Sequence, residues 1–173
     1  YDGQFAYFAI FDPFLRLYKD TPATYRDVVD EPPYRFGRIG FSLLTKIFSG
    51  DRWQHYPVTM VWLILGALFM CGLTLALTAH YGGVSPAHGG LIIFVPGFWQ
   101  SVQSGLPEPI AAAVLLSGYL CLVRSRWVPA GLLFGVSLLV RETGVVLVAC
   151  LVVATLISGQ KRHALRLALI SLA

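Results

Sequence analysis

Charged residues are scarce in this sequence and are unevenly distributed. Asp, Glu, Lys and Arg make up 13% of its 173 residues, against about 25% in a typical soluble domain. Between Trp53 and Pro107 there is not one of them. Hydrophobic residues account for 56%, and the mean hydropathy is +0.67. The composition therefore excludes an ordinary water-soluble domain and predicts a membrane protein.

Acidic residues are especially rare after the first 51 positions. Seven of the nine acidic residues lie within those first 51 positions, and residues 1–52 carry as many acids as bases. The other two are Glu108 and Glu142. The net charge of +4 therefore comes from basic residues in short loops between apolar runs. This distribution is typical of membrane topology and not of nucleic-acid binding.

Metal-binding and nucleotide-binding patterns are also missing. Cys71, Cys121 and Cys150 all lie within apolar runs, where a cysteine behaves as a small hydrophobic residue. There is no Cys-x-x-Cys pair, the four histidines are scattered, and no phosphate-binding glycine loop occurs. The sequence thus predicts no metal site and requires no cofactor, although it leaves the need for a divalent cation open.

The first 56 residues form a polar segment that we predict as a separate region. Its four prolines exclude a single long helix. Residues 33–50 nevertheless have apolar side chains at helical spacing. This fits an amphipathic helix at the membrane surface or, equally, a helix that covers a small soluble subdomain. The chain starts without Met and ends within an apolar run, so we expect it to be a piece of a longer protein.

Residues 57–173 are predicted to be the transmembrane region. The predicted fold is all-α, a polytopic transmembrane helical bundle with the N-terminal segment as an external loop containing short amphipathic helices. Residues 57–79 are long enough to cross a hydrocarbon core, which takes about 20 residues, and residues 80–90 have the Gly and Pro content of a loop. The later runs are shorter and need tilt or local bilayer thinning. The predicted helices are 57–79, 91–99, 110–123, 127–140, 145–157 and a truncated 164–173.

The basic residues predict which loops face the cytoplasm. Residues 124–126 and 161–166 are the two basic loops, and such loops are usually cytoplasmic. Counting passes from them places residues 1–56, 100–109 and 141–144 on the outer side. Every acidic residue then lies on the outer side. Because ionisable groups in a membrane usually border a cavity, we expect a polar cavity there, covered by the N-terminal segment.

Four candidate site residues lie in the polar segment. Asp2 fits the N-cap of a helix over residues 3–11, which Asp12 and the proline after it would end. A capping carboxylate can also act in catalysis, so the two roles are compatible. Arg35 and Arg38 share a helical face. They are suited either to bind a phosphate or to lie among the lipid headgroups.

Three more candidates border the short apolar runs. Glu108 lies between two prolines at the start of such a run. It fits a first-turn acid, but a carboxylate that contacts substrate is preferred because the surrounding run has no other charge. Arg141 and Glu142 are adjacent at a helical break, where they either neutralise each other or bind substrate.

Several of these motifs together resemble a known family. They are Tyr-Asp-Gly-Gln-Phe at residues 1–5, Asp12-Pro13, Pro-Tyr-Arg-Phe-Gly-Arg-Ile at residues 33–39, Glu108 and Arg141-Glu142. They are similar to bacterial multi-pass glycosyltransferase-like proteins of the GT-C superfold, relatives of the polyprenyl-phosphate-sugar mannosyltransferases and of cell-surface glycopolymer formation proteins. The resemblance extends from Tyr1 to about Thr143. It departs after Arg38, where members often continue Ile-Leu-Tyr-Pro and this chain has Ile-Gly-Phe-Ser.

The resemblance implies a function and roles for particular residues. In that superfold a carboxylate in the first external loop acts as catalytic base or orients the acceptor, and Asp2 occupies the matching position. A sugar would pass from a polyprenyl-phosphate carrier to a glycan, lipid or protein acceptor on the outer face of a bacterial plasma membrane, in cell-envelope glycan or glycopolymer assembly. The expected substrate-binding residues are Asp12, Arg35, Arg38, Glu108, Arg141 and Glu142.

Two other functions fit the same hydrophobic chain. A lipid-linked sugar flippase or transporter would also contain broken helices and intramembrane acids, but its charges would line a path to both faces. A non-catalytic membrane subunit would explain the hydrophobicity but not the clustering of acids on one face. We therefore expect an enzyme, a glycosyltransferase of the hexosyltransferase type, with membrane lipid and no nucleic acid among its partners.

Replacing Asp2 with Asn removes the predicted base while conserving its size. A general base contributes about 10²–10⁴-fold to a rate, so sugar transfer by the full-length protein should fall by that factor, with membrane insertion unchanged. Transfer is measured with a defined polyprenyl-phosphate sugar, and insertion from the amount of protein in the membrane fraction. Full activity of the Asp2→Asn variant would contradict the catalytic role.

Overall fold

The computed structural model describes residues 2–12, 39–50, 52–141, 144–157, 159, 165 and 168–171, with only the backbone for residues 2–6. These residues form helices joined by short turns, without a strand among them. The α-helices are α1 (Asp2–Phe11), α2 (Ile39–Ser49), α3 (Tyr56–Tyr81), α4 (Pro96–Ser104), α5 (Glu108–Val123), α6 (Trp127–Val140) and α7 (Gly144–Ile157). The predicted all-α class is thus confirmed over the described residues.

Helix α3 is the longest element of the structure. Its 26 residues span about 39 Å at 1.5 Å per residue, more than the ~30 Å of a hydrocarbon core. Together with the 3-10 turn Trp53–His55 before it, it is the one helix of the described chain that is long and apolar enough to cross a membrane. Only 28% of its most apolar stretch is buried, unlike the core helix of a soluble protein. The exposed large side chains are Val58, Val61, Trp62, Leu65, Phe69, Met70 and Leu73.

Helices α5, α6 and α7 are shorter, with 16, 14 and 14 residues. They agree within two residues with the predicted runs 110–123, 127–140 and 145–157. Each spans about 21–24 Å, less than a hydrocarbon core. They are apolar on all sides, and their exposed surfaces carry large aliphatic residues such as Leu132 and Val146.

The prediction for residues 80–99 is wrong. Instead of a loop over 80–90 and one helical pass over 91–99, helix α3 continues to Tyr81 and a 3-10 helix follows at Pro86–Phe94. Val95 is extended, and Pro96 begins α4. Proline has no N–H to continue the preceding helix but suits the first turn of a new one. The apolar run is therefore divided between two short helices.

These two helices form a return segment, residues 86–104, that runs antiparallel along α3. Near the end of α3, Gly89 lies directly on Gly72 and Ala76. Farther along, Val102 borders the same cavity as Pro57, in the first turn of α3. The return segment thereby takes the chain back to the end at which α3 began.

Helix α5 therefore runs parallel to α3. The Cys71 thiol donates to the carbonyl oxygen of Pro109, with a sulfur–oxygen distance of 3.6 Å. At the other end, the Arg124 guanidinium donates to the Tyr81 hydroxyl. Helix α6 then returns antiparallel to α5, with Phe134 packed against Gly118.

The bundle consequently has two chemically different ends. We call the end of α5 and α6 that contains Glu108 and Arg141 the Glu108 end. The opposite end, with Tyr81 and Arg124, is called the Arg124 end. The basic turn 124–126 and the C-terminus of α3 thus lie together, whereas α5 begins beside Cys71, about 22 Å along α3 from Tyr56.

A buried cluster at the Glu108 end joins five helices. Its members from α1, α2, α3, α5 and α6 include Ile10, Phe41, Tyr56, Ile110 and Val140. Within it, α2 approaches α6 closely. A Cβ added to the glycine at position 40 would come within 3.0 Å of the backbone carbonyl carbon of residue 139. The cluster fixes α1 and α2 against the helical bundle.

Helix α2 buries a different face from the one that its apolar spacing indicated. Phe41, Thr45 and Ser49 are buried, whereas Ile47 and Phe48 are exposed. The Thr45 hydroxyl donates to the Phe41 carbonyl at 3.0 Å, which satisfies it within the helix. Helix α2 thus buries Phe41 together with small and polar residues, and Ile47 and Phe48 remain at the surface.

Small residues also mediate packing at the end of the chain. Gly131 and Gly135, one helical turn apart in α6, lie against Ile170 and Ser171. Of the predicted last helix 164–173, residues 165 and 168–171 are described, and they are helical. Small residues four apart let helix backbones approach closely, and such spacing is common in membrane-helix packing.

The contact of the return segment with α3 predicts a sharp difference between two neighbouring glycines. A Cβ at Gly89 would meet the Ala76 Cβ at 2.7 Å and its backbone nitrogen at 2.9 Å, whereas one at Gly90 would meet nothing within 4 Å. Gly89→Ala should therefore destabilise the protein by about 1–3 kcal/mol, and Gly90→Ala should change its stability by less than about 0.5 kcal/mol. Thermal unfolding in detergent measures both, and equal effects would contradict the packing.

Candidate functional site

Glu108 and Arg141 form an ion pair at the Glu108 end. Glu108 is the first residue of α5, and Arg141 directly follows α6. Because the two helices are antiparallel, the start of one meets the end of the other. Arg141 Nη1 donates to Glu108 Oε1. The side chains are 22% and 28% exposed, respectively, so the pair is neither solvated like a surface pair nor fully desolvated.

The second carboxylate oxygen of Glu108 has no such partner. Oε2 is buried and accepts no hydrogen bond from the described residues. A buried polar atom without a partner costs about 1–3 kcal/mol. Such atoms are rare in native proteins, and they are found where a ligand, water or ion completes the site. One carboxylate oxygen of Glu108 therefore accepts a hydrogen bond from Arg141, and the other is available to accept one from a ligand.

A cavity of about 340 Å³ lies beside this pair. Its polar lining consists of Glu108, Arg141 and Ser137. The Ser137 hydroxyl donates to the Phe134 carbonyl at 2.7 Å, so its oxygen is left as an acceptor. The remaining lining is apolar, and it comprises Phe98, Ala111, Ala112, Leu115, Leu116, Gly144 and Leu147. The cavity thus has one polar wall and an otherwise apolar surface.

A second cavity of about 630 Å³ opens at the same end. It is bounded by Tyr7 and Phe8 of α1, by the first two turns of α3, and by residues 102–105. Gln103 and Ser104 give it amide and hydroxyl groups beside the aromatic rings. Residues 102–105 continue directly toward Glu108, so the two cavities flank one short stretch of chain.

Three aromatic rings attach α1 to α3 beside this second cavity. The Phe11 ring packs edge-to-face on Tyr7 and on Tyr56, with centroid distances of 5.3 Å in both cases. Asp12, the next residue, is buried with 6% exposure and has an interaction partner. Asp2 begins the helix, about 14 Å along its axis from Phe11. The predicted helix of the N-terminal segment is thus anchored at the Glu108 end through its last turn.

The structure brings together some of the predicted site residues. Glu108 and Arg141 contact each other, and Asp12 is buried at the same end of the bundle. Arg35, Arg38 and Glu142 lie outside the described residues, as does the side chain of Asp2. Their place in this site therefore stays a prediction.

Two residues of the cavity were missed by the sequence analysis. Ser137 precedes Arg141 by one helical turn, and this spacing of four could have indicated that both lie on one face. Phe98 carries no such signal, because its position depends on the break at Pro96 and on the course of the return segment. Among the described residues, no three His, Cys, Asp or Glu side chains are close enough to hold a metal ion.

The ion pair predicts an energetic coupling between α5 and α6. In a double-mutant cycle of Glu108→Gln and Arg141→Gln, we expect a coupling of about 1–3 kcal/mol, between the values of exposed and buried pairs. The measurement is thermal or denaturant unfolding in detergent. The control cycle combines Glu108→Gln with Arg124→Gln at the opposite end, where additivity within about 0.5 kcal/mol is expected. The same coupling in both cycles would show that the pair is not formed.

No protein-family model, curated protein or solved structure matches this chain. The function of the site is therefore inferred from its own residues. These are a half-paired carboxylate, an arginine and a cavity with one polar wall.

Proposed function

We propose that this chain belongs to a multi-pass membrane glycosyltransferase of the hexosyltransferase type. It transfers a sugar from a polyprenyl-phosphate carrier to a glycan, lipid or protein acceptor on the outer face of a bacterial plasma membrane. The observation that supports the proposal best is the Glu108 carboxylate, which pairs with Arg141 through one oxygen and leaves the other buried without a partner beside a cavity.

The chemistry of this cavity fits a sugar linked to a lipid phosphate. Oε2 of Glu108 needs a hydrogen-bond donor, and a sugar hydroxyl supplies one. Arg141 has five N–H donors, of which the described contact uses one, so others remain to bind a phosphate. The apolar remainder of the cavity suits the first part of a hydrocarbon chain. A ligand that combines a hydroxyl, an anion and an apolar chain would satisfy all three surfaces.

The multi-pass arrangement rests on the apolar surfaces of the short helices. Helices α5 to α7 expose large aliphatic side chains. Water-soluble proteins rarely expose apolar surface over such an area. Their small-residue contacts are those of membrane helices. With the basic turn 124–126 in the cytoplasm, the Glu108 end lies on the outer side. The polar cavity and α1 then share the face on which a lipid-linked sugar would be used.

The proposed reaction is a direct displacement at the sugar. Asp2 removes the proton from an acceptor hydroxyl, and the resulting oxygen attacks the anomeric carbon. The bond between that carbon and the phosphate oxygen breaks, and the lipid phosphate leaves with the electron pair. Arg141, together with Arg35 and Arg38, stabilises the phosphate, while Glu108 or Glu142 holds sugar hydroxyls. Asp12, buried at the end of α1, holds this helix in position for the acceptor.

Glu108→Gln tests the role of the half-paired carboxylate. A hydrogen bond to a charged group contributes about 1.5–3 kcal/mol, so kcat/KM for transfer should fall about 10- to 150-fold in the full-length protein. The assay uses defined polyprenyl-phosphate sugars and detects the glycosylated acceptor. Ser117→Ala, in the same helix and outside the cavity, is the matched control and should retain its activity, because that hydroxyl only donates to Ala113 at 2.7 Å.

Two results would contradict the proposal. The first is equal activity of Glu108→Gln and the parent protein, which would show that the Glu108 carboxylate does not contribute to transfer. The second is movement of a lipid-linked sugar across vesicles without a new glycosidic product, which would identify a flippase instead of a transferase.

A further inference from the structure

The Arg124 end presents a compact pair of arginines. Arg124 donates through Nη2 to the Tyr81 hydroxyl, and its guanidinium carbon lies 4.4 Å from the centre of the Tyr81 ring. Ser125 has a left-handed backbone with φ of 57°, which helps to close the three-residue turn between α5 and α6. The Arg126 backbone nitrogen donates to the Cys121 carbonyl at 2.8 Å. The turn thus holds both arginines at the same end, and Tyr81 restrains one of them.

These arginines lack a compensating acid. Glu108 is the only acidic residue between positions 52 and 141, and it pairs with Arg141 at the opposite end. Arg124, Ser125 and Arg126 are all exposed. The Arg124 end of the described chain therefore carries two positive charges that no described carboxylate neutralises.

The position of Tyr81 sets the depth of these charges in a membrane. Tyr81 ends the helix that can span the bilayer, whose length of about 39 Å exceeds the ~30 Å hydrocarbon core by several ångströms at each end. Tyr81 therefore lies at the level of the headgroups, where tyrosine is enriched. Arg124, stacked on its ring, lies at the depth of lipid phosphates and not in bulk water.

We propose that Arg124, Arg126 and the Tyr81 hydroxyl form a binding site for the headgroup of an anionic phospholipid. Guanidinium groups bind phosphodiester oxygens through paired hydrogen bonds, and basic pockets at the ends of membrane helices recognise such lipids. Because the Tyr81 ring already orders one guanidinium, less side-chain freedom is lost when the lipid binds. The site is on the side opposite to the proposed sugar transfer, and it does not depend on that activity.

The test compares the protein in nanodiscs of phosphatidylcholine alone and of an equimolar mixture with phosphatidylglycerol. Native mass spectrometry counts the lipids that remain bound after release. A basic residue near an anionic membrane contributes about 1 kcal/mol, which is about fivefold in affinity. Arg124→Gln and Arg126→Gln should therefore each lower the preference for phosphatidylglycerol about fivefold, and the double variant about 25-fold.

The control is Arg52→Gln, which removes an exposed arginine at the other end of α3. It should leave the preference for phosphatidylglycerol within about twofold of the parent. Equal losses in Arg52→Gln and the double variant, or no loss in the double variant, would overturn the proposal. Competition by inorganic phosphate as strong as that by phosphatidylglycerol would also overturn it, because the ligand would then be free phosphate. If the double variant fails to insert, Arg126→Gln alone decides, since the Arg126 side chain forms no hydrogen bond or ion pair with the described residues.

Discussion

The close contact of Gly72 with Gly89 determines the course of the chain and, through it, the position of the candidate site. Because Gly89 has no side chain, the 3-10 helix of the return segment can lie directly on α3. The chain then travels back along α3 as far as Pro57, and α5 begins beside Cys71. If this segment were held farther away, α5 could not run parallel to α3. Glu108 would then be separated from the cluster that anchors α1.

The antiparallel course of α5 and α6 brings the two partners of the ion pair together. Because α6 ends where α5 begins, Arg141 and Glu108 lie next to each other at the Glu108 end. An arginine with no acid nearby would be costly at membrane depth, and the pairing reduces this cost. Because Arg141 occupies only one carboxylate oxygen, the pair is at the same time a structural link and an incomplete binding site.

Much of the fold follows from local sequence patterns, whereas the site depends on contacts between distant residues. The apolar runs predicted α3, α5, α6 and α7 within two residues, because helices in apolar surroundings must satisfy their backbone hydrogen bonds internally. The return segment was mispredicted, since hydropathy does not show where Pro96 divides an apolar run. Glu108 and Arg141 were identified from their unusual charge, but their contact could be known only from the relative direction of α5 and α6. For the same reason, Ser137 and Phe98 were not recognised as cavity residues.

The two ends of the bundle place opposite demands on a bound molecule. At the Glu108 end the arginine is already paired, and the unsatisfied group is a carboxylate oxygen, so this site needs a hydrogen-bond donor and tolerates an anion only beside it. At the Arg124 end the guanidinium groups have no acid, so an anion is what completes them. In the two proposals, a hydroxyl-rich phosphate would complete the first end and an anionic headgroup the second. The uneven distribution of the acidic residues along this chain is therefore the basis on which the two proposals assign different ligands to the two ends.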